Sequence, residues 1–203
     1  MDQITDEPAL RTHFGAVNPL AERKVLRRLD RHATAFIGLS PFLVLATADV
    51  DGRVDASPRG DAPGFVLVRD ETTLLLPDRP GNNRVDSFGN ILAHPGVGLI
   101  FFVPGIEDTL RVNGRATVVT EPALLGPAVA QGKVPRTGLL IAVEEVFFHC
   151  AKALKRSRLW DPSRHVERGA FPTLGRIIAE QTGACDAHDA EERIQESYRT
   201  RLY

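Results

Sequence analysis

LLLPDRPGNNRVDSFGN, residues 74–90, decides how the rest of this chain is read. A short apolar run, Thr73 to Leu76, stops at Pro77 and gives way to Asp78-Arg79-Pro80-Gly81-Asn82-Asn83-Arg84. A helical pattern, Val85, Phe88, Ile91 and Leu92, then begins. Strand, polar turn and helix start, in that order, make a place where phosphate can dock. Unpaired N–H groups at a helix N-terminus face the anion, and the helix dipole favours its charge. Arg79 and Arg84 supply forked cationic donors suited to phosphate oxygens, and Asn82 and Asn83 add neutral amide donors. A solvated loop capping a helix is the competing reading, and two further stretches weigh against it.

Outward from this centre the chain reads as short strands. Phe42 to Thr47 is a buried run, Asp51-Gly52 is a hairpin turn, and Arg53 to Ser57 returns with alternating polarity. Phe65 to Val68 and Thr72 to Leu76 follow. His94-Pro95-Gly96 ends the central helix, and Val97 to Val103 is apolar enough for a central strand. Thr109 to Val119 alternates at period two, and Gly114 in its middle points to a bulge or a close backbone approach. Pro122 to Ala130 reads as a short helix and Gly138 to Phe148 as the last strand. Hairpin-joined strands with one interrupting helix predict an antiparallel barrel rather than a doubly wound sheet.

The flanks differ from this core. Residues 1–19 read as a loose arm, and Asn18-Pro19 opens a helix extending to about Phe36. Phe171 to Gln181 reads as helix, and Asp186 to Tyr203 as a charged, weakly amphipathic segment on the surface or against a partner subunit. The prediction is one domain over 1–203, with a helical arm over about 1–38 and a helical extension over about 150–203.

Ser57-Pro58-Arg59-Gly60-Asp61 is the second stretch. It sits where a strand leaves the sheet: Pro58 is expected to end ladder pairing, Gly60 allows close approach, and Arg59 suits an anion or a ring carbonyl. The third is Phe148 to Trp160, FHCAKALKRSRLW. Here Trp160 could stack on a planar ligand with cations near its charged edge; a basic helix anchored by Trp160 is the alternative. Cys150 beside His149 reads as a structural or ligand-lining cysteine rather than a catalytic one, because strand neighbours point to opposite faces and do not automatically meet. The other histidines, His13, His32, His94, His165 and His188, lack metal-ligand spacing, so no metal site is expected. Asp49, Asp51 and Asp55 read as solvated turn residues. Glu144-Glu145 has the basic tail as one candidate partner.

With 203 residues, 43% apolar and 25% charged, the composition is that of an ordinary globular protein. The net charge of -1 gives no general attraction to nucleic acid or anionic membrane. No apolar run reaches the roughly 20 residues of a membrane helix. The acidic beginning, MDQITDEPALRTHF, lacks the order of a signal peptide. Two cysteines form no framework, and a cytoplasmic location is expected.

The motifs SPRGD (57–61), LPDRPGNNRVDSFGNIL (76–92), LRVNGRA (110–116) and FHCAKALKRSRLW (148–160) together resemble the pyridoxamine-phosphate oxidase-like FMN-binding split-barrel superfamily. The likeness is strongest to a subgroup of FMN-dependent enzymes without an established substrate. It implies a mainly β fold with flanking helices, a six-stranded antiparallel Greek-key split barrel. It also implies a homodimer with FMN in clefts between subunits and hydride transfer through the flavin. The implied cofactor contacts are Ser57 and Arg59, then Pro77, Asp78, Arg79, Asn82, Asn83 and Arg84 around the phosphate. Arg111 would lie near the ring, with Lys155, Ser157 and Trp160 from the C-terminal segment. The substrate would be a small molecule, a reduced nicotinamide among the candidates. Asn82-Asn83-Arg84 replaces the oxidases' Ser-Arg-Lys run, and their paired Arg and His for pyridoxal phosphate are missing. No catalytic residue is assigned. A flavin store or sensor without turnover, or a related barrel holding haem or a deazaflavin, are the alternatives.

Overall fold

The computed structural model describes residues 3–203, so the first two residues of the expected arm lie outside it. Helices α1 (Glu7–Phe14), α2 (Pro19–Arg23) and α3 (Arg31–Leu39) lead into strands β1 (Phe42–Ala48), β2 (Val54–Gly60), β3 (Leu67–Asp70) and β4 (Thr73–Pro77). Helix α4 (Asp86–Ala93) separates these from β5 (Gly96–Val103) and β6 (Ile106–Val119). Helix α5 (Pro122–Leu125), β7 (Gly138–His149) and helices α6 (Lys152–Ser157), α7 (Leu174–Thr182) and α8 (Ala187–Thr200) complete the chain.

All strand pairs are antiparallel, in the order β2-β1-β5-β6-β7-β4-β3. The architecture is the expected split barrel with flanking helices, with the seven strands read along the chain rather than the six that the resemblance implies. The four-residue β3, read along the chain as a strand over Phe65 to Val68, hairpins onto β4 at one edge. Residues directly opposite one another across an antiparallel ladder project to the same face. Leu43, Phe101 and Leu110 thus form one inward row, and Leu45, Leu99 and Val112 the next. These six are at most 1% exposed, and the core is built on such rows. The row between them, Val44, Ile100 and Arg111, faces outward.

The expected helix over 20–36 is divided. Leu26 leaves the helical path to exchange two backbone hydrogen bonds with Val146, at 2.9 and 2.8 Å. Asp30 then caps a new helix by accepting the Ala33 N–H at 2.8 Å. The arm also contains α1, capped by Asp6, with no residue of this helix buried. Gly114 meets both expectations: the β6–β7 register shifts between Asn113 and Gly114, and a Cβ there would lie 2.1 Å from the Ala142 carbonyl oxygen. Pro58 does not end the ladder. Strand β2 runs on to Gly60, because an edge strand tolerates a residue without an N–H.

Candidate functional site

The inward rows run out on the edge strand, where Ser57 and Arg59 replace apolar side chains opposite Leu45 and Leu43. Beside them the chain leaves β4 at Pro77 and loops through Asn82 to α4. These segments and Phe65 enclose a cavity of about 540 Å³, within the ~300–1,000 Å³ range of small-molecule sites. Ser57, Arg59, Pro77, Asp78, Arg79, Asn82, Asn83 and Arg84 all line it.

Two crossed ion pairs join the end of β2 to the end of β4. Arg59 Nη1 donates to Asp78 Oδ1 at 2.8 Å, and Arg79 Nε to Asp61 Oδ2 at 2.6 Å. Arg79 Nη2 also donates to the Ala128 carbonyl at 3.0 Å, so much of its fork is turned to the protein. Tyr203 donates its hydroxyl to Asp61 at 2.6 Å, and Lys133 Nζ fastens the Tyr203 carbonyl at 2.7 Å. Burial pushes the Asp61 carboxyl up, but hydrogen bonds from Tyr203, the Ala62 N–H and Arg79 outweigh it and hold the pKa below its usual value. For Asp78 the balance is reversed: burial raises its pKa more than Arg59 lowers it. Arg59 Nε is buried without a partner while the guanidinium lies 5.8 Å from the Phe88 ring centroid.

The far wall is a strained loop. Asn83 and Val85 both occupy the left-handed region, at φ 59° and 54°. This is uncommon for a residue other than glycine and an outlier for a β-branched one. Arg84 sits between them, its N–H on Asn82 Oδ1 at 3.1 Å and its Nε on Asp86 at 2.8 Å. Helix α4 begins at Asp86 with no side-chain cap. Its first N–H groups are therefore not taken by a capping side chain. Ser87 turns instead to Asp55, donating its hydroxyl at 2.7 Å.

The other four expected residues lie elsewhere in a single chain. Arg111 projects from the outward row, on the opposite sheet face from Arg59. Its Nη2 donates to Glu145 at 2.9 Å and its guanidinium lies 4.0 Å from the Phe147 centroid. Glu145 thus pairs within the sheet rather than with the basic tail. Lys155 pairs with Glu107 at 2.5 Å, Trp160 Nε1 donates to the Ile106 carbonyl at 2.9 Å, and Ser157 Oγ donates to the Leu154 carbonyl at 3.1 Å. Lys155 and Trp160 line a separate depression beside the β5–β6 turn.

Several lining or bracing residues escaped the sequence reading. Asp55 was expected to be solvated, yet it is partly shielded and holds Ser87; its alternation within β2 was the signal available. Tyr203 was expected on the surface or against a partner subunit, and nothing in its sequence neighbourhood announces Asp61 as its partner. Among the described residues, no group of three or more His, Cys, Asp or Glu side chains could hold a metal ion, and no helix is long and apolar enough to cross a membrane.

The site is a donor-lined cavity held between the edge strand and the strained loop of an antiparallel split barrel. Residues 29–150 match the pyridoxamine 5'-phosphate oxidase family, more than half of the chain, and the protein belongs to that family. No curated protein matches the sequence. Among solved structures it is similar to HupZ of Group A Streptococcus, at 22% identity and TM-score 0.48, over 59% of this chain and 93% of that one. An FMN-binding protein of Syntrophomonas wolfei is similar at 10% identity and TM-score 0.46, over 70% and 96% of the two chains. An F420 reductase is similar at 17% and 0.43, over 60% and 98%. With identities under a quarter and scores under 0.5, these neighbours add nothing to the family match.

Proposed function

We propose that the chain is an FMN-dependent oxidoreductase, acting on a small molecule as a homodimer in the cytoplasm. The carrying observation is the cavity between β2 and α4, where Arg59 Nε is buried and partnerless opposite the Asn82-Asn83-Arg84 loop. A buried unsatisfied donor costs about 1–3 kcal/mol, so this arginine fits a ligand that brings an acceptor. Asn82, Asn83, Arg84 and the uncapped start of α4 suit the phosphate, while Ser57, Arg59 and Phe88 suit the ring end. Pro77, Asp78 and Arg79 shape the wall between them. Arg111, Lys155, Ser157 and Trp160 would complete the site from the second copy, which explains why one chain keeps them apart. Bound FMN supplies hydride chemistry; the chain's own groups bind it, orient it and set its electronics.

The purified protein should show a flavin spectrum or acquire one on adding FMN. It should bind FMN at least ten times more tightly than riboflavin, which lacks the phosphate. A colourless protein that binds neither would overturn the proposal. Tighter binding of a deazaflavin or of haem in competition would change the cofactor and leave the cavity as the site.

A carrier without turnover is the second reading, because every carboxylate at the cavity already has a partner. Asp55 holds Ser87, Asp78 holds Arg59 and Asp86 holds Arg84. Anaerobic mixing with a reduced nicotinamide separates the two, since a carrier leaves its flavin oxidised.

A further inference from the structure

Three basic side chains surround one phenyl ring on the outer face of the sheet, and none of them lines the β2–α4 cavity. Around the centroid of Phe147 lie the Arg111 guanidinium at 4.0 Å, the His149 ring centroid at 4.7 Å and Lys24 Nζ at 5.6 Å. Glu145 is the carboxylate hydrogen-bonded here, accepting from Arg111 Nη2 and Asn113 Nδ2, each at 2.9 Å. Lys24 Nζ donates to the Phe148 carbonyl at 2.6 Å and keeps further donors. Arg111 Nε is buried and has no acceptor. Burial depresses the His149 pKa, and Arg111 and Lys24 depress it further. With His149 neutral, Lys24 and Arg111 against Glu145 leave one positive charge.

A groove of about 470 Å³ shares Lys24 and Phe147 with this cluster and is otherwise lined by Leu26, Asp30, His32, Ala33, Val146 and Phe148; Arg111 and His149 stand around its Phe147 rather than in its wall. Its one carboxylate, Asp30, is turned to the Ala33 N–H as the α3 cap. A largely apolar channel that reaches Lys24, with Arg111 and its partnerless N–H against the same phenyl ring, matches an apolar body carrying a single negative charge. A planar carboxylate suits the guanidinium fork, whereas a phosphate dianion overcompensates the charge and faces Glu145.

We propose that this cluster binds the carboxylate of a small apolar acid between Arg111, Lys24 and His149, with the body of the acid along the groove. Its role as the substrate site of the flavin reaction rests on the proposed function, through Arg111 reaching the ring of the second copy. Acid binding does not.

Benzoate is titrated into the full-length, flavin-free protein while the His149 ring protons are followed by NMR, assigned through His149→Gln. Saturable binding that raises the His149 pKa is expected, with no response to neutral benzamide and a response to inorganic phosphate at least tenfold weaker. Lys24→Gln should weaken benzoate at least tenfold and raise the His149 pKa of the free protein, with FMN affinity unchanged. An unmoved His149, an equal effect of benzamide, or phosphate binding more tightly than benzoate would overturn the assignment. Benzoate binding without FMN binding sinks the flavin reading and keeps this site; the converse keeps the flavin and removes the site.

Discussion

Replacing Asp61 by Asn tests whether the crossed ion pairs hold the cavity wall together. The Arg79 and Asp61 side chains are only 16% and 4% exposed, and their 2.6 Å contact is among the most shielded ion pairs in the chain. Removing one member of a buried pair leaves an uncompensated charge and costs about 3–5 kcal/mol. The lower end applies here, because Arg79 keeps its bond to Ala128 and Asn still offers an oxygen to Arg79 or Tyr203. A loss of about 3 kcal/mol lowers the melting temperature by roughly 6–12 °C in a protein of this size. Urea unfolding of both proteins measures it, with an unchanged slope required for the comparison. Because the folded Asp61 pKa lies below its usual value, its stabilising contribution is complete above the unfolded value, ~3.9. That contribution is lost as pH falls through the folded pKa. The gap between wild type and variant should therefore be flat from about pH 5 upward and close under strong acid. A loss under about 1 kcal/mol, or a gap indifferent to acid, would refute the bracing role.

Arg84→Ala should weaken FMN at least several-fold in a fluorescence titration, through loss of a charge-assisted hydrogen bond; unchanged affinity removes Arg84 from the phosphate site. Gly114→Ala should cost about 1–3 kcal/mol by thermal unfolding, because the obstacle at 2.1 Å is backbone rather than a movable side chain; a neutral result means the strands separate freely at the bulge. Trp160→Phe should cost about 1 kcal/mol by losing the bond to the Ile106 carbonyl, and should also weaken FMN or the dimer. Equal flavin affinity with an intact dimer would leave Trp160 as an anchor only. Val85→Gly should stabilise the protein by about 1 kcal/mol through relief of its left-handed backbone, yet weaken FMN; urea unfolding and the same titration give both numbers.

How far the sequence could be read depended on the range of the interaction concerned. Asp51-Gly52 turns between β1 and β2, and His94-Pro95 ends α4 just before β5 starts at Gly96, each through its own backbone preferences. Gly114 was legible because a lone glycine in a strand has few purposes. The division of the first helix was not. It needs Val146, far along the chain, to draw Leu26 out of the helix. Within the site, SPRGD and LPDRPGNNR could each be picked out, but their pairing could not. That Arg59 meets Asp78 and Asp61 meets Arg79 follows only once β2 and β4 are brought to the same cavity. The opposite facing of Arg59 and Arg111 likewise requires the register between β1, β5 and β6, which alternation within one strand does not provide.

The loop itself decides between a cap and a binding surface. Residues 81–86 are exposed, so packing does not force Asn83 and Val85 into the left-handed region. Val85 is 60% exposed and has little buried area to lose. A chain under pressure for stability alone would place glycine at such a position, since glycine adopts it without a steric penalty. Retaining a stiff β-branched residue there restricts the backbone in both the folded and the unfolded chain. On the proposed reading, the benefit of that restriction is a fixed direction for the uncapped N–H groups in the first turn of α4. A solvated cap gains nothing from it, and in that case Val85→Gly would raise stability with no change toward any anion. Opposite movement of stability and FMN affinity in one variant is the outcome that only a preorganised binding loop produces.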